Sequence, residues 1–129
     1  MVRVLINPAK VARPIGQYSH VAKVSANKFL FIAGQVAVDK YGKVVGKGDF
    51  VAQAHQVFKN LKAIFTSEGL TFDNVVAMNT YVTDMRNRAK LAEVRPKYMK
   101  TFPPNTLVAV KALALPELLL EVEAIAATD

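Results

Sequence analysis

The residues best suited to chemistry in this sequence are two glutamates in its last apolar segment. Glu121 and Glu123 interrupt a run of mostly aliphatic residues from Leu118 to Ala126. Side chains alternate between the faces of a strand, so both glutamates share the face that carries Leu119 and Ile125. A carboxylate removed from water is costly unless it is paired or hydrogen-bonded. The pair is therefore a candidate for ligand binding or acid–base catalysis. The alternative is a half-solvated face on which both acids are hydrated.

The composition limits the kinds of site that this chain can build. Its 129 residues, 52% of them hydrophobic, predict a single domain spanning residues 1–129. The absence of cysteine excludes disulfides, thiolate catalysis and thiolate metal sites. His20 and His55 are the two histidines, too few for an ordinary zinc site. We therefore expect chemistry without a metal or cofactor, and a cytoplasmic protein.

The positive charge bears on the choice of partner. The formal net charge is +7 and the isoelectric point is about 9.8, which raises nucleic acid as a candidate. The lysines are scattered, however, and the sequence shows no platform of interleaved aromatic and basic residues. No apolar run is long enough to cross a bilayer. The sequence thus predicts a small-molecule partner, and neither a nucleic acid nor a membrane.

Two segments show helical periodicity. Apolar residues recur every three or four positions after Phe50, with Asp49 as a candidate N-cap and Gly69 as the stop. His55 falls beside this apolar stripe, which indicates a solvent-side or interface residue. A second helix is predicted over residues 86–101, and Pro96 should bend or divide it.

The remaining periodic segments predict strands and an α+β fold. A hairpin is predicted at Ala26–Asn27. One sheet with both helices on one face accounts for this order of elements. Its other face would stay uncovered and partly apolar, which predicts association between copies. The predicted strands are residues 20–25, 28–33, 74–82, 105–111 and 118–126.

Several short motifs, taken in order, resemble the Rid family (also called the YjgF or endoribonuclease L-PSP family) of enamine and imine deaminases. They are Asn7-Pro8, Gly16-Gln17-Tyr18-Ser19, Phe31-Ile32-Ala33-Gly34-Gln35-Val36, Gln53 and Asn60, Val82-Thr83-Asp84-Met85, and Leu120-Glu121-Val122-Glu123-Ala124-Ile125-Ala126. The resemblance implies a chorismate-mutase-like α+β fold, with a single sheet and two helices packed on one face. It also implies a homotrimer with a ligand cleft at each subunit boundary.

The resemblance also implies an activity and a set of site residues. In deaminase members, water attacks the imine carbon of a 2-imino acid and releases a 2-keto acid and ammonia. Glu121 matches the family's glutamate that positions the water. Gly34 matches a glycine whose backbone contacts the ligand, and Tyr18 matches a tyrosine that lines the cleft. Alternatively, Tyr18 packs at an interface between subunits, and Gly34 is a glycine because a turn requires one at this position. We expect Glu123 to be a hydrogen-bonding partner rather than a second catalyst.

This sequence departs from the family pattern at one position. Asn105 stands where the family carries an arginine that holds the substrate carboxylate. An asparagine lacks the charge and the bidentate fork, so the site could favour an amide, a carbonyl or a neutral ring. Asn105 could instead cap the bend after Pro103-Pro104. Lys111 is too far along the strand to replace the arginine, whereas Arg95 or Arg13 could reach across a subunit boundary.

Three functions follow from these residues. The first is a metal-free hydrolase or deaminase acting on an enamine, an imine or a related small metabolite, with Glu121 as catalyst and Tyr18, Gly34 and Asn105 binding the substrate. The second is a protein that binds a small metabolite without turnover. The third is a ribonuclease, which ranks last because His20 and His55 form no convincing acid–base pair.

Overall fold

A computed structural model describes residues 1–129. Six strands and two α-helices are joined by loops and three short 3₁₀ turns. In chain order they are β1 (Val2–Ile6), β2 (Val21–Ser25), β3 (Lys28–Gln35), α1 (Phe50–Ser67), β4 (Val75–Val82), α2 (Arg88–Val94), β5 (Asn105–Ala109) and β6 (Leu120–Thr128).

Helix α1 begins and ends as its sequence predicts. The Asp49 carboxylate accepts a hydrogen bond from the Ala52 amide at 3.1 Å, which satisfies one of the free donors of the first turn. Gly69 follows the helix with φ of +72°, a conformation that glycine adopts at little cost. The apolar stripe packs into the core, where Val57 and Leu61 are fully buried.

The second helical segment is divided, and proline is the reason. Helix α2 ends at Val94, and Arg95–Lys97 continues as a single 3₁₀ turn that contains Pro96. Proline has no amide hydrogen to donate and its ring clashes with the preceding turn. The division at Pro96 is confirmed. Leu91 and Val94 provide the buried side of the shortened helix.

The strands form two hydrogen-bonded groups rather than the predicted single sheet. The four-stranded sheet has the order β3-β6-β4-β5, in which β4 and β5 are parallel and the other pairs antiparallel. Strand β2 pairs with β1 instead of β3. The hairpin prediction at Ala26–Asn27 was wrong, because tight two-residue hairpins need a positive φ that neither residue has. The Asn27 amide instead donates to the Thr128 carbonyl and extends the β3–β6 ladder.

The four-stranded sheet has one covered and one open face. Leu120, Val122 and Ala124 point into the core beneath the helices. The opposite face carries Phe29 and Phe31, and Phe31 is 79% exposed. This arrangement is the α+β fold with both helices on a mixed sheet. No helix in the chain combines the length and the apolar character that a bilayer crossing requires.

The Gln53 side chain joins α1 to the segment that leads into β6. It is completely buried, and its amide nitrogen donates to the carbonyls of Gly46 at 3.1 Å and Glu117 at 2.8 Å. Its amide oxygen accepts from the Leu119 backbone at 2.8 Å. Buried backbone groups need such partners. Gln53 therefore holds the start of the strand that carries Glu121.

Candidate functional site

Glu121 and Gly34 lie in direct contact on the open face of the sheet. A Cβ atom added to Gly34 would lie 2.3 Å from Glu121 Oε2 and 2.7 Å from its carboxyl carbon. The φ of Gly34 is not positive, so no left-handed turn requires glycine here, whereas a side chain at this position would displace the Glu121 carboxylate. The β3–β6 register shifts between Ile32 and Gln35, which places Gly34 in a β-bulge. Bulges bend a strand and redirect its groups, and here the bulge brings the Gly34 backbone to the carboxylate.

Glu123 has partners that Glu121 lacks. Its Oε1 atom accepts hydrogen bonds from the Tyr81 hydroxyl at 2.6 Å and from the Asn79 amide at 3.0 Å. These bonds, that of Tyr81 foremost, lower the pKa of Glu123, while the bond to Glu123 raises the pKa of Tyr81. The Glu121 carboxylate, in contrast, accepts no hydrogen bond within the chain. The two acids therefore differ in environment, and Glu121 is the one free to contact a ligand or a water molecule.

The Glu123–Tyr81 bond predicts a pH dependence of stability. The folded-state pKa of Glu123 lies below its unfolded value, so the stabilisation is present above the unfolded pKa and is lost as the pH falls through the folded pKa. We expect urea unfolding midpoints to fall less steeply between about pH 6 and about pH 3 in Glu123→Gln than in the wild type. Tyr81→Phe should flatten the profile as well, since it removes the donor. Wild-type slopes in both variants would contradict this assignment.

Tyr18 and Asn105 line a different cavity, of about 700 Å³, between the 15–18 segment, α2 and β5. Asn105 Oδ1 accepts a hydrogen bond from Thr80 Oγ at 2.8 Å, which leaves the Asn105 amide nitrogen available as a neutral donor. The Tyr18 hydroxyl accepts from the Ile15 amide at 3.3 Å. The bend after Pro103-Pro104 is thus not capped by the Asn105 oxygen, which is bonded to the sheet.

The four predicted site residues therefore form two groups within one chain. Strand β4 separates them: Asn105 is opposite Met78, and Glu121 is opposite Tyr81. Met78 and Tyr81 are three positions apart on β4 and point to opposite faces. Tyr18 and Asn105 belong to the cavity beside α2, whereas Gly34 and Glu121 belong to the open face.

Arg95 is a cavity residue whose position the sequence did not reveal. It lines the same cavity as Asn105, within one chain, and it is only 4% exposed. Burial lowers the pKa of Arg95 to about 10, which leaves it charged at neutral pH. The sequence suggested Arg95 only as a cation reaching across a subunit boundary. In the sequence, Arg95 is notable only because it directly precedes Pro96, and that position does not predict burial.

The two histidines lie apart and take part in unrelated contacts. His20 Nε2 is 2.7 Å from the Ala12 carbonyl, whereas His55 Nδ1 is 2.7 Å from the Tyr98 hydroxyl. The His55 contact joins α1 to the turn after α2, and the His55 side chain is half-buried there. No three His, Asp or Glu side chains are grouped closely enough to hold a metal ion.

The chain matches one known protein family along nearly its whole length. The sequence profile of the endoribonuclease L-PSP family matches residues 9–128, nearly the whole chain. The chain belongs to this family, which includes the Rid and RutC proteins. Its Rid-family relatives include a RutC family protein of Pyrococcus horikoshii, 43% identical over 116 residues that cover 88% of this chain and 89% of the relative. Protein DfrA of Myxococcus xanthus is 37% identical over 114 residues, covering 88% of this chain and 87% of that protein.

A solved structure supports the same placement in the Rid family. A conserved Rid family protein of unknown function from Yersinia pestis, YyfB, superimposes with a TM-score of 0.90 at 39% identity. The alignment covers 98% of this chain and 99% of that one. The α+β fold with two helices on a mixed sheet is therefore that of the Rid family.

Proposed function

We propose that this Rid-family chain is a metal-free hydrolase that deaminates an enamine, an imine or a related small metabolite. Glu121 positions the attacking water, and the Gly34 backbone contacts the reacting group. Tyr18 and Asn105 recognise the rest of the substrate. The contact between Gly34 and the Glu121 carboxylate is the observation that carries the proposal, because it sets an unpaired carboxylate beside backbone groups exposed by a bulge.

The proposed reaction needs only water and one proton-accepting group. The water oxygen forms a bond to the imine carbon while Glu121 accepts a proton from that water. Glu121 passes that proton to the nitrogen, which becomes an amine; it then accepts the hydroxyl proton and passes it to the same nitrogen, which leaves as ammonia when the carbon–nitrogen bond breaks. The carbon retains the oxygen as a carbonyl, so the organic product is a 2-keto acid when the substrate is a 2-imino acid. Glu121 is thereby regenerated as a carboxylate, and both protons of the water end on ammonia.

The separation of the two groups of residues supports an active site shared between subunits. Within one chain Asn105 and Glu121 are on opposite faces of the sheet. The open face also exposes Phe29 and Phe31, an apolar surface of the kind that association covers. We propose a homotrimer in which the Glu121 face of one subunit meets the cavity of another, so that a ligand contacts both groups.

The direct test is a turnover assay on the purified protein. Threonine- and serine-derived 2-imino acids are generated in situ, and keto acid and ammonia are followed together. We expect both products to form in equal amounts, at a rate proportional to protein concentration and above the rate in buffer. Stabilisation of the folded protein by 2-imino acid or 2-keto acid without any added ammonia release would contradict the hydrolase and identify a metabolite-binding protein.

A further inference from the structure

The Arg95 guanidinium is buried with its hydrogen-bonding capacity only partly used. Nη1 donates to the Gln17 carbonyl at 2.6 Å, and the group stacks on the Phe102 ring with 5.2 Å between Cζ and the ring centroid. Nε and Nη2 have no hydrogen-bond partner. Arg95 also forms no ion pair within the chain. Buried polar groups are nearly always satisfied, so these two atoms indicate a missing partner.

The cavity that Arg95 lines has the electrostatic character of an anion site. Its lining contains no carboxylate, and of its two arginines only Arg95 is buried, whereas Arg88 is exposed to solvent that screens its charge. Asn105 contributes a neutral amide donor to the same cavity. A buried arginine in a low-dielectric surrounding interacts strongly with an anion, because water screens the charge poorly there. The adjacent Nε and Nη2 atoms are covered in the free protein, and they would match the two oxygens of a carboxylate in a bidentate arrangement once a ligand displaces the groups that cover them.

We propose that Arg95 is the residue that binds the carboxylate of a small 2-oxo or 2-imino acid in this cavity, with Asn105 as a neutral second donor. The choice of a 2-oxo or 2-imino acid as the ligand rests on the proposed function. It places the cation on the turn after α2 rather than on β5, where the family pattern would put it. A carboxylate-bearing substrate is then retained although position 105 carries no charge.

Arg88 offers a matched comparison because it shares the structural role of Arg95. Each arginine donates one hydrogen bond to a carbonyl of the segment that closes the cavity, Arg88 to Ile15 at 2.9 Å and Arg95 to Gln17 at 2.6 Å. Arg88 is exposed, whereas Arg95 is buried with two free donors. Substitution of either residue removes one positive charge and one hydrogen bond to this segment. Only substitution of Arg95 should also remove the group that binds the carboxylate.

The test is calorimetric binding of 2-oxobutanoate and of its uncharged amide, 2-oxobutanamide. We expect the wild type to bind the acid about tenfold more tightly than the amide, a difference of about 1.4 kcal/mol, since charge-assisted hydrogen bonds are stronger than neutral ones. Arg95→Gln should abolish this preference, and Arg88→Gln should keep most of it. Arg95→Lys keeps a point charge without the fork, so its preference should fall about threefold or more.

Three results would overturn the assignment. They are equal binding of acid and amide by the wild type, a full preference in folded Arg95→Gln, and equal losses in the Arg88 and Arg95 variants. If Arg95→Gln does not fold, an unchanged preference in Arg95→Lys overturns it. Glu121→Gln should keep the acid preference, because binding of the carboxylate by Arg95 does not depend on turnover. A wild type that prefers the acid but shows no turnover contradicts the hydrolase and leaves the Arg95 assignment standing.

Discussion

Glu121→Gln should lower the rate of keto-acid formation by about 100-fold or more, because general acid–base groups typically contribute 10²–10⁴-fold. Glutamine preserves the size of the side chain and its contact with Gly34, but it cannot accept a proton from water. The measurement is the steady-state rate on 2-imino acids generated in situ, with ligand binding measured separately. Binding of 2-oxobutanoate should change little, which distinguishes a loss of chemistry from a loss of the cleft.

Glu123→Gln is the matched control for this result. Glu123 lies two residues further along the same face of β6, and its carboxylate is already engaged by Asn79 and Tyr81. We expect its substitution to change turnover by less than about tenfold, well short of the loss at Glu121. Comparable losses in the two variants would mean that the charge of the face matters and that Glu121 has no individual role. A Glu121→Gln enzyme with near wild-type turnover would remove Glu121 from the mechanism.

Gln53→Leu should destabilise the fold by about 3 to 5 kcal/mol, because it leaves three backbone groups that face the fully buried Gln53 side chain without partners, at about 1–3 kcal/mol each. The affected groups are the Gly46 and Glu117 carbonyls and the Leu119 amide. Urea unfolding monitored by circular dichroism measures the change. Turnover per folded molecule should also fall, since the segment held by Gln53 leads directly into the strand of Glu121.

Gln56→Leu is the control, with the same change on the same helix. The Gln56 amide donates a single side-chain hydrogen bond, to Asn60 Oδ1 at 2.8 Å, at a half-buried position. Its loss should cost about 1 kcal/mol or less. Similar destabilisation in both variants would indicate that the general effect of a leucine on this helix, and not the buried network of Gln53, accounts for the result.

Features of the fold that depend on neighbouring residues in the chain could be predicted from the sequence. The start of α1 at Asp49, its end before Gly69 and the division at Pro96 all depend on residues within one turn of the boundary. Alternation in the last strand likewise separated the faces of Glu121 and Val122, because the period of two is a property of any strand. The ordered motifs identified the family without knowledge of any contact.

Strand pairing and side-chain contacts between residues distant in the chain could be seen only in the folded structure. Strand β1 was absent from the sequence prediction, and it pairs with β2 across a long loop that carries no local signal. The assumed hairpin gave way to pairing of β3 with β6, because the register of a strand is set by its partner. The close approach of Gly34 to the Glu121 side chain likewise depends on the pairing of two strands distant in the chain, and the φ of Gly34 gives no sign of it.

The candidate site shows the same division. The strand pattern nominated Glu121, and the family resemblance nominated Tyr18 and Asn105, but only the fold placed Asn105 and Glu121 on opposite faces of one sheet. Arg95 had no sequence feature that indicated burial, since an arginine is ordinarily exposed. Its 4% exposure results from the 15–18 segment and Phe102 closing over the turn after α2. Burial is a sum over non-local contacts, and it made Arg95 the principal cation of the cavity.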